Sequence, residues 1–309
     1  MFNQWLKHRY GAPACIILAA TLWGLDSLVR YPTSLSFPLT TLVFLEHLIG
    51  VVLLAPFFWK SRATLPRIEP KHWTAFIIVA AFGAIVGNLA NTRSIQILGP
   101  STATLFLLLQ PVGVLLLASL FLKERSSGRF FPVAVWVILN SLLIAFPDFN
   151  FGFSSGEIDY SPGIFFGLIA STAWAVSTVT QKWLLKTFSP VQSVFFRFLF
   201  ATLFLGVVGE VKGELEFAQL SEHSDILPRL FFLSTVIGVF PYWLYNVGLK
   251  RLPASLVTLI EAWYPIMGIF VPMIVSGTPL AGLQIFGGVT LIVSLALLVQ
   301  FESPEKEAR

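Results

Sequence analysis

The apolar positions of this chain do not alternate with polar ones in amphipathic stripes; they run together into long, almost unbroken stretches. Crossing a hydrocarbon layer of about 30 Å takes about 20 helical residues. Stretches approaching that length run Ala12–Arg30, Pro38–Trp59, Trp73–Ile97, Ser101–Leu122, Phe131–Phe146, Pro162–Trp183, Val191–Val208, Leu230–Leu249, Ala254–Val275 and Leu280–Gln300. The fifth is short and holds Asn140 and Ser141, and the sixth is rich in Ser and Thr. The pattern predicts an all-α integral membrane protein with ten transmembrane helices.

Composition points the same way. Of 309 residues, 56% are hydrophobic and 12% charged, with a mean hydropathy of +0.80, values outside the range of a water-soluble domain. The single cysteine, Cys15, lies in an apolar run and rules out an internal disulfide. Lys7 and Arg9 precede the first apolar stretch in the manner of a signal peptide, yet that stretch continues to Arg30 and others follow, so it reads as the first span. Loop charges sort by side. Lys7, Arg9, Lys60, Arg62, Arg67, Lys71, Lys123, Arg125, Arg129, Lys182, Lys186, Lys250, Arg251, Lys306 and Arg309 share one side, against Arg30, Arg93, Lys212 and Arg229 on the other. The basic side faces the cytoplasm, which predicts both termini cytoplasmic in a bacterial inner membrane. The net charge of +4 thus reports orientation, and nucleic acid is not an expected partner.

The chain also repeats itself. A shift of 151 positions lays Trp23 on Trp174, Asp26 on Ser177, Arg30 on Gln181 and Glu46 on Arg197, and a shift of 154 lays Leu98, Ser101, Thr104 and Pro111 on Leu252, Ser255, Thr258 and Pro265. Residues 1–150 and 151–309 are the two units this implies. An odd number of spans in each would set them in opposite orientations, the arrangement of inverted-repeat transporters. Ala20-Thr21-Leu22-Trp23-Gly24 in the first span, and Pro111 followed by Leu122-Lys123-Glu124-Arg125 around the fourth, resemble motifs of the drug/metabolite transporter superfamily, specifically its ten-span EamA-type exporters. The chain departs from that pattern with Glu46-His47 where an arginine is common, and with Thr278 opposite Glu124. The resemblance implies outward transport of an amino acid or similar small metabolite.

A charge at mid-bilayer costs about 2.5–3.5 kcal/mol on insertion scales, which singles out Asp26, Glu46, Arg197 and Glu261, with His47 and Arg93 as partners. Depth counted along each span puts Arg197 and Glu261 near the cytoplasmic ends of spans seven and nine. They are expected to pair there, either as a gate or as a fixed link between the two helices. Asp26 and Glu46 fall toward the opposite face, with Arg93 as the expected neutraliser. Two carboxylates in one place do not both ionise cheaply, so this is the expected site of proton coupling, snorkelling of Asp26 being the alternative. His47 reads either as a proton relay or as a hydrogen-bonded packing residue.

Polar-aromatic clusters supply the candidate substrate contacts: Trp23, Trp174, Tyr242, Tyr245, Asn246, Glu261 and Trp263, with Asn88, Asn91 and Gln110 as further anchors. Helical spacing places Tyr242, Tyr245 and Asn246 on one face; span eight is otherwise an interfacial belt. Pro111 and Pro265 each remove a backbone donor and read as hinges or as static bends. Gly83, Gly87, Gly287 and Gly288 are expected to allow close packing. No metal-ligand, phosphate-loop or serine-elbow motif is present, and His8, His47, His72 and His223 are too scattered for a metal centre. The expectation is a secondary transporter without cofactor or enzymatic activity, working by alternating access on a small-molecule substrate in the lipid bilayer, with a homodimer as a further possible assembly. The competing classes are an intramembrane enzyme using Glu46-His47 as an acid/base pair and a receptor contacted through the acidic Glu210–Pro228 loop.

Overall fold

The computed structural model of the chain describes residues 10–124, 130–146, 160–217, 226–264 and 281–301, with positions 6, 8, 128, 148, 149, 220 and 267. In chain order the helices are α1 (Gly11–Trp23), α2 (Asp26–Ser36), α3 (Leu39–Ser61), α4 (Pro70–Ile78), α5 (Gly87–Leu98), α6 (Pro100–Leu107), α7 (Gln110–Leu117), α8 (Phe130–Ala145), α9 (Ser161–Leu184), α10 (Pro190–Lys212), α11 (Ile226–Phe232), α12 (Phe240–Arg251), α13 (Ala254–Glu261) and α14 (Gly282–Phe301). Wider π-helical turns at Val79–Val86 and Leu233–Val239 join α4 to α5 and α11 to α12, and another, Ala118–Leu122, extends α7.

Among the described residues, six helical rods are long and apolar enough to cross a membrane: Gly11–Leu35, Leu39–Thr64, Pro70–Leu98, Ser161–Leu184, Pro190–Lys212 and Ile226–Arg251. Gln110–Leu122, Phe130–Ile144 and Gly282–Leu297 are shorter apolar helices. The protein is therefore an all-helical integral membrane protein. Large apolar side chains stand exposed on its flanks, including Val52, Leu120, Phe121 and Val211. Such surface is costly in water and matched by lipid tails.

The first span runs past its expected end at Arg30, because Tyr31–Ser36 continue the helix despite Pro32. The expected fourth span is broken. A turn at Leu108 and Leu109 separates α6 from α7, and Pro111 lies in the first turn of α7, where its missing N–H costs nothing. The expected ninth span breaks at the corresponding place, with α13 ending at Glu261 and a turn at Ala262 and Trp263. Pro265 and Thr278 lie outside the described residues.

Packing recurs at the interval of the sequence repeat. α3 lies along α10, α8 along α14, α1 along α12 and α9 along α5. The first and third of the π-helical turns each contact the long helix of the other half, Val79–Val86 against α10 and Leu233–Val239 against α3. Glu124 joins the halves more directly: its carboxylate accepts the N–H groups of Ala254 at 2.9 Å and Ser255 at 3.2 Å and the Ser255 hydroxyl at 3.1 Å. It caps α13 from a distant part of the chain, which gives the Leu122-Lys123-Glu124-Arg125 motif a structural purpose. Replacing Glu124 with Ala is expected to lower unfolding free energy by about 1–2 kcal/mol, seen as a lower midpoint in a detergent melting curve; an unchanged midpoint would show that the cap contributes no stability.

Candidate functional site

The Leu233–Val239 π-helical turn and residues flanking the two helix breaks, Leu107 and Gln110 at one and Glu261 and Tyr264 at the other, join the wall of a cavity also lined by Trp23, Asn88, Asn91, Trp174, Tyr242, Tyr245 and Asn246. Its empty space, open mouth included, is about 1120 Å³.

Two tryptophans set its walls. The Trp23 indole N–H donates to the Ile237 carbonyl at 3.0 Å, and the Trp174 indole N–H donates to the Gly83 carbonyl at 3.0 Å. Both acceptors lie in π-helical turns, and donors and acceptors match at the repeat interval. A π turn breaks the regular i→i−4 ladder and here presents carbonyls to a neighbouring helix. Trp23 also meets the rings of Tyr242 and Tyr245 at 5.0 and 5.2 Å between centroids. Gly83 and Gly87 are required for this closeness. A Cβ on Gly83 would collide with Ser177 and Arg197, and one on Gly87 with the Trp174 indole. They make room for side chains rather than for a neighbouring backbone. Gly287 packs against Ile144 and Leu143, whereas Gly288 faces open space, so only one of that pair serves packing.

The charges pair differently from expectation. Arg30, not Arg93, meets the carboxylates: its Nε donates to Asp26 at 2.7 and 3.0 Å, and its two terminal nitrogens donate to Glu46 at 3.0 and 3.2 Å. Arg30 and Glu46 are buried, at 6% and 4% exposed, and Asp26 is partly buried; here one guanidinium serves two carboxylates at once. Arg93 is exposed and donates to Gln96 at 2.9 Å. The cue for Arg30 was present in its four-residue spacing from Asp26, which puts both on one helix face.

Arg197 and Glu261 do not pair either. Arg197 donates to the Gly83 carbonyl and the Tyr242 hydroxyl, each at 2.7 Å, and to Ser177 at 3.3 Å, with its guanidinium 4.0 Å from the centre of the Tyr242 ring. Glu261 accepts from Gln110 at 3.5 Å. Each meets a tyrosine instead of the other, Arg197 meeting Tyr242 and Glu261 meeting Tyr245. Tyr245 shares a 3.2 Å hydrogen bond with Thr178.

His47 donates from Nδ1 to the Val43 carbonyl of its own helix at 2.8 Å, and its ring lies 4.9 Å from that of Phe198. Glu46 is held by Arg30, so the two do not form an acid/base pair. Trp263 stands away from the cavity, its indole donating to the Thr21 hydroxyl at 3.1 Å. Pro111 is buried at the start of α7 and is absent from the cavity wall. Ser177, Thr178, Gln181 and Ser234 line the cavity although composition gave no cue to them; for Ser177 and Gln181 the cue was their overlay on Asp26 and Arg30. No group of three or more potential metal ligands occurs among the described residues.

The EamA-like transporter family matches this chain twice, over residues 12–146 and 161–300. The chain belongs to the EamA-like transporter family. Among relatives of this EamA-like transporter, the riboflavin transporter ImpX of Fusobacterium nucleatum is 25% identical over 294 residues, spanning 94% of this chain and 97% of its own. The uncharacterized inner membrane transporter YhbE of Escherichia coli K12 is 26% identical over 233 residues, 74% of this chain and 70% of its own. An uncharacterized transporter of Haemophilus influenzae is 24% identical, over 82% of this chain and 80% of its own. A crystal structure of 16% sequence identity shares the fold with a TM-score of 0.73, covering 94% of this chain and 97% of the other.

Removing Arg30 leaves the buried Glu46 carboxylate, and the partly buried Asp26 beside it, without their cation, so Arg30→Gln is expected to destabilise the protein by about 3–5 kcal/mol. Arg93→Gln is expected to stay within about 0.5 kcal/mol of the parent. Detergent-unfolding curves check both, and equal effects would contradict the assignment. In the same assay Gly83→Ala lowers stability by about 1–3 kcal/mol, whereas Gly288→Ala leaves it unchanged.

Proposed function

We propose that this transporter carries a small amphipathic metabolite with an aromatic ring across the bacterial inner membrane. The observation that carries the reading is the mixture on the cavity wall: Trp23, Trp174, Tyr242 and Tyr245 offer ring faces, while Asn88, Asn91, Gln110 and Asn246 offer amides. Buried carbonyl oxygens of Asn91 and Asn246 have no partner within the protein, and a buried acceptor without a donor costs about 1–3 kcal/mol. A ligand with N–H or O–H groups at its edge would satisfy them. The flavin in the name of the Fusobacterium relative is a ring of this kind, and aromatic amino acids belong to the same class.

The transport cycle we infer is alternating access around two inverted repeats of five spans, residues 1–150 and 151–309, with both termini in the cytoplasm. The repeat in sequence, the recurrence of helix contacts at its interval and the helix breaks at Leu108–Leu109 and Ala262–Trp263 support it. The basic loops on one side support the orientation. Asp26 and Glu46 share one guanidinium, so the trio holds one negative charge in excess, and proton uptake there is the coupling step we assign.

Flux of labelled riboflavin, tryptophan and phenylalanine in proteoliposomes, followed in both directions, tests the reading. At least one is expected to move only when the protein is present, and Trp174→Ala is expected to slow it at least tenfold. Dependence on a proton gradient that disappears in Glu46→Gln would support the coupling assignment. Movement of none of these, with movement of a non-aromatic metabolite, would overturn the aromatic reading.

A further inference from the structure

Glu46 and Arg197 occupy corresponding positions of the two repeats but carry opposite charge, and their surroundings differ as well. Around Glu46 the buried charge is answered by Arg30, itself bound to two carboxylates. The positions corresponding to Asp26 and Arg30 are Ser177 and Gln181. Among the described residues no carboxylate lies within ion-pair distance of Arg197, whose partners are a carbonyl and two hydroxyls. Its Nε has no hydrogen-bond partner, and neither amide atom of Gln181 has one. Both side chains line the cavity, at 4% and 3% exposure. Ser177 and Gln181 are one turn apart on α9 and so share a face.

A buried guanidinium without an anion, on the same cavity wall as a buried amide without partners and bonded to the Ser177 that lies one turn from that amide, is an expensive arrangement unless something completes it. We propose that Arg197, Gln181 and Ser177 form a subsite for the carboxylate of the transported molecule. The Arg197 Nε–H and the Gln181 amide N–H donate to the carboxylate oxygens, the former bond strengthened by charge. One guanidinium balances one negative charge, which favours a carboxylate over a doubly charged phosphate. The inference rests on the aromatic cavity proposed above and adds to it the sign of the ligand's charge.

Three probes separate the elements: indole-3-acetate carries ring and carboxylate, 3-methylindole the ring alone, and acetate the carboxylate alone. Their binding is measured calorimetrically on the full chain in phosphatidylcholine nanodiscs, which hold no anionic lipid. Indole-3-acetate is expected to bind at least tenfold tighter than 3-methylindole. Arg197→Gln and Gln181→Leu bring that ratio toward one while 3-methylindole still binds, which shows that the variants are folded. Arg197→Lys, which keeps the charge, retains part of the preference. Equal binding of acid and neutral ring by the parent protein, or an undiminished ratio in Arg197→Gln, overturns the subsite and leaves the aromatic reading standing. Acetate binding as tightly as indole-3-acetate, and lost in Arg197→Gln, keeps the subsite and overturns the aromatic reading. Binding of none of the three overturns both. Loss of the acid preference in phosphatidylglycerol nanodiscs assigns the subsite to a lipid headgroup and overturns its role toward a solute.

Discussion

Hydrocarbon offers no water to complete a hydrogen bond, so every polar group within the membrane must find its partner inside the protein. The unusual features of this chain follow from that constraint. A carbonyl of a regular helix is already engaged by its own ladder and has one lone pair left, which Glu46 of α3 gives to the Ser234 hydroxyl at 2.7 Å. The π-helical turns, where the i→i−4 ladder is broken, present further carbonyls. There the indoles of Trp23 and Trp174 and the guanidinium of Arg197 are bound. Of these turns Leu233–Val239 reaches the cavity wall and Val79–Val86 is covered by α9 and α10, in keeping with polar backbone being tolerated at membrane depth only where protein or a solute covers it.

The same constraint explains why the charges sit as they do. A lone charge is disfavoured there, and the first half meets the cost internally by clustering Asp26, Arg30 and Glu46. The second half uses neutral groups to surround Arg197, and another set, Gln110 among them, to meet Glu261. Two halves with the same helix contacts therefore offer chemically different walls to one cavity. A duplicated scaffold has kept its geometry while its polar positions have diverged.

Much of the architecture was legible in the sequence because apolar length is a one-dimensional property. The long spans, the repeat, the pairing of Trp23 with Trp174 and the shared face of Tyr242, Tyr245 and Asn246 all follow from spacing. What spacing lacks is the angle at which one helix meets another. Arg197 and Glu261 matched in depth, yet tyrosines meet them instead. Arg93 matched Asp26 and Glu46 in depth, but Arg30 is the residue on the correct face. Arg30 was hidden because it lies at the end of an apolar run, where a positive charge ordinarily marks the membrane surface, while the helix continues to Ser36. The breaks in spans four and nine were legible as prolines, but their matching positions depend on the turns that precede Pro111 and Pro265.

The π-helical turns also govern helical phase. Each lengthens the hydrogen-bonded step from i→i−4 to i→i−5, the equivalent of one residue inserted in an α-helix, and one residue corresponds to about 100° of rotation. Deleting a single residue from Val79–Val86 would restore a regular helix at little cost to its own hydrogen bonds. It would also rotate Asn88 and Asn91 relative to Phe76 by about a quarter turn or more, taking the amides off the cavity wall while the span kept its length and hydropathy. The surplus residue acts as an angular offset, setting which face of one continuous rod looks inward on either side of mid-membrane.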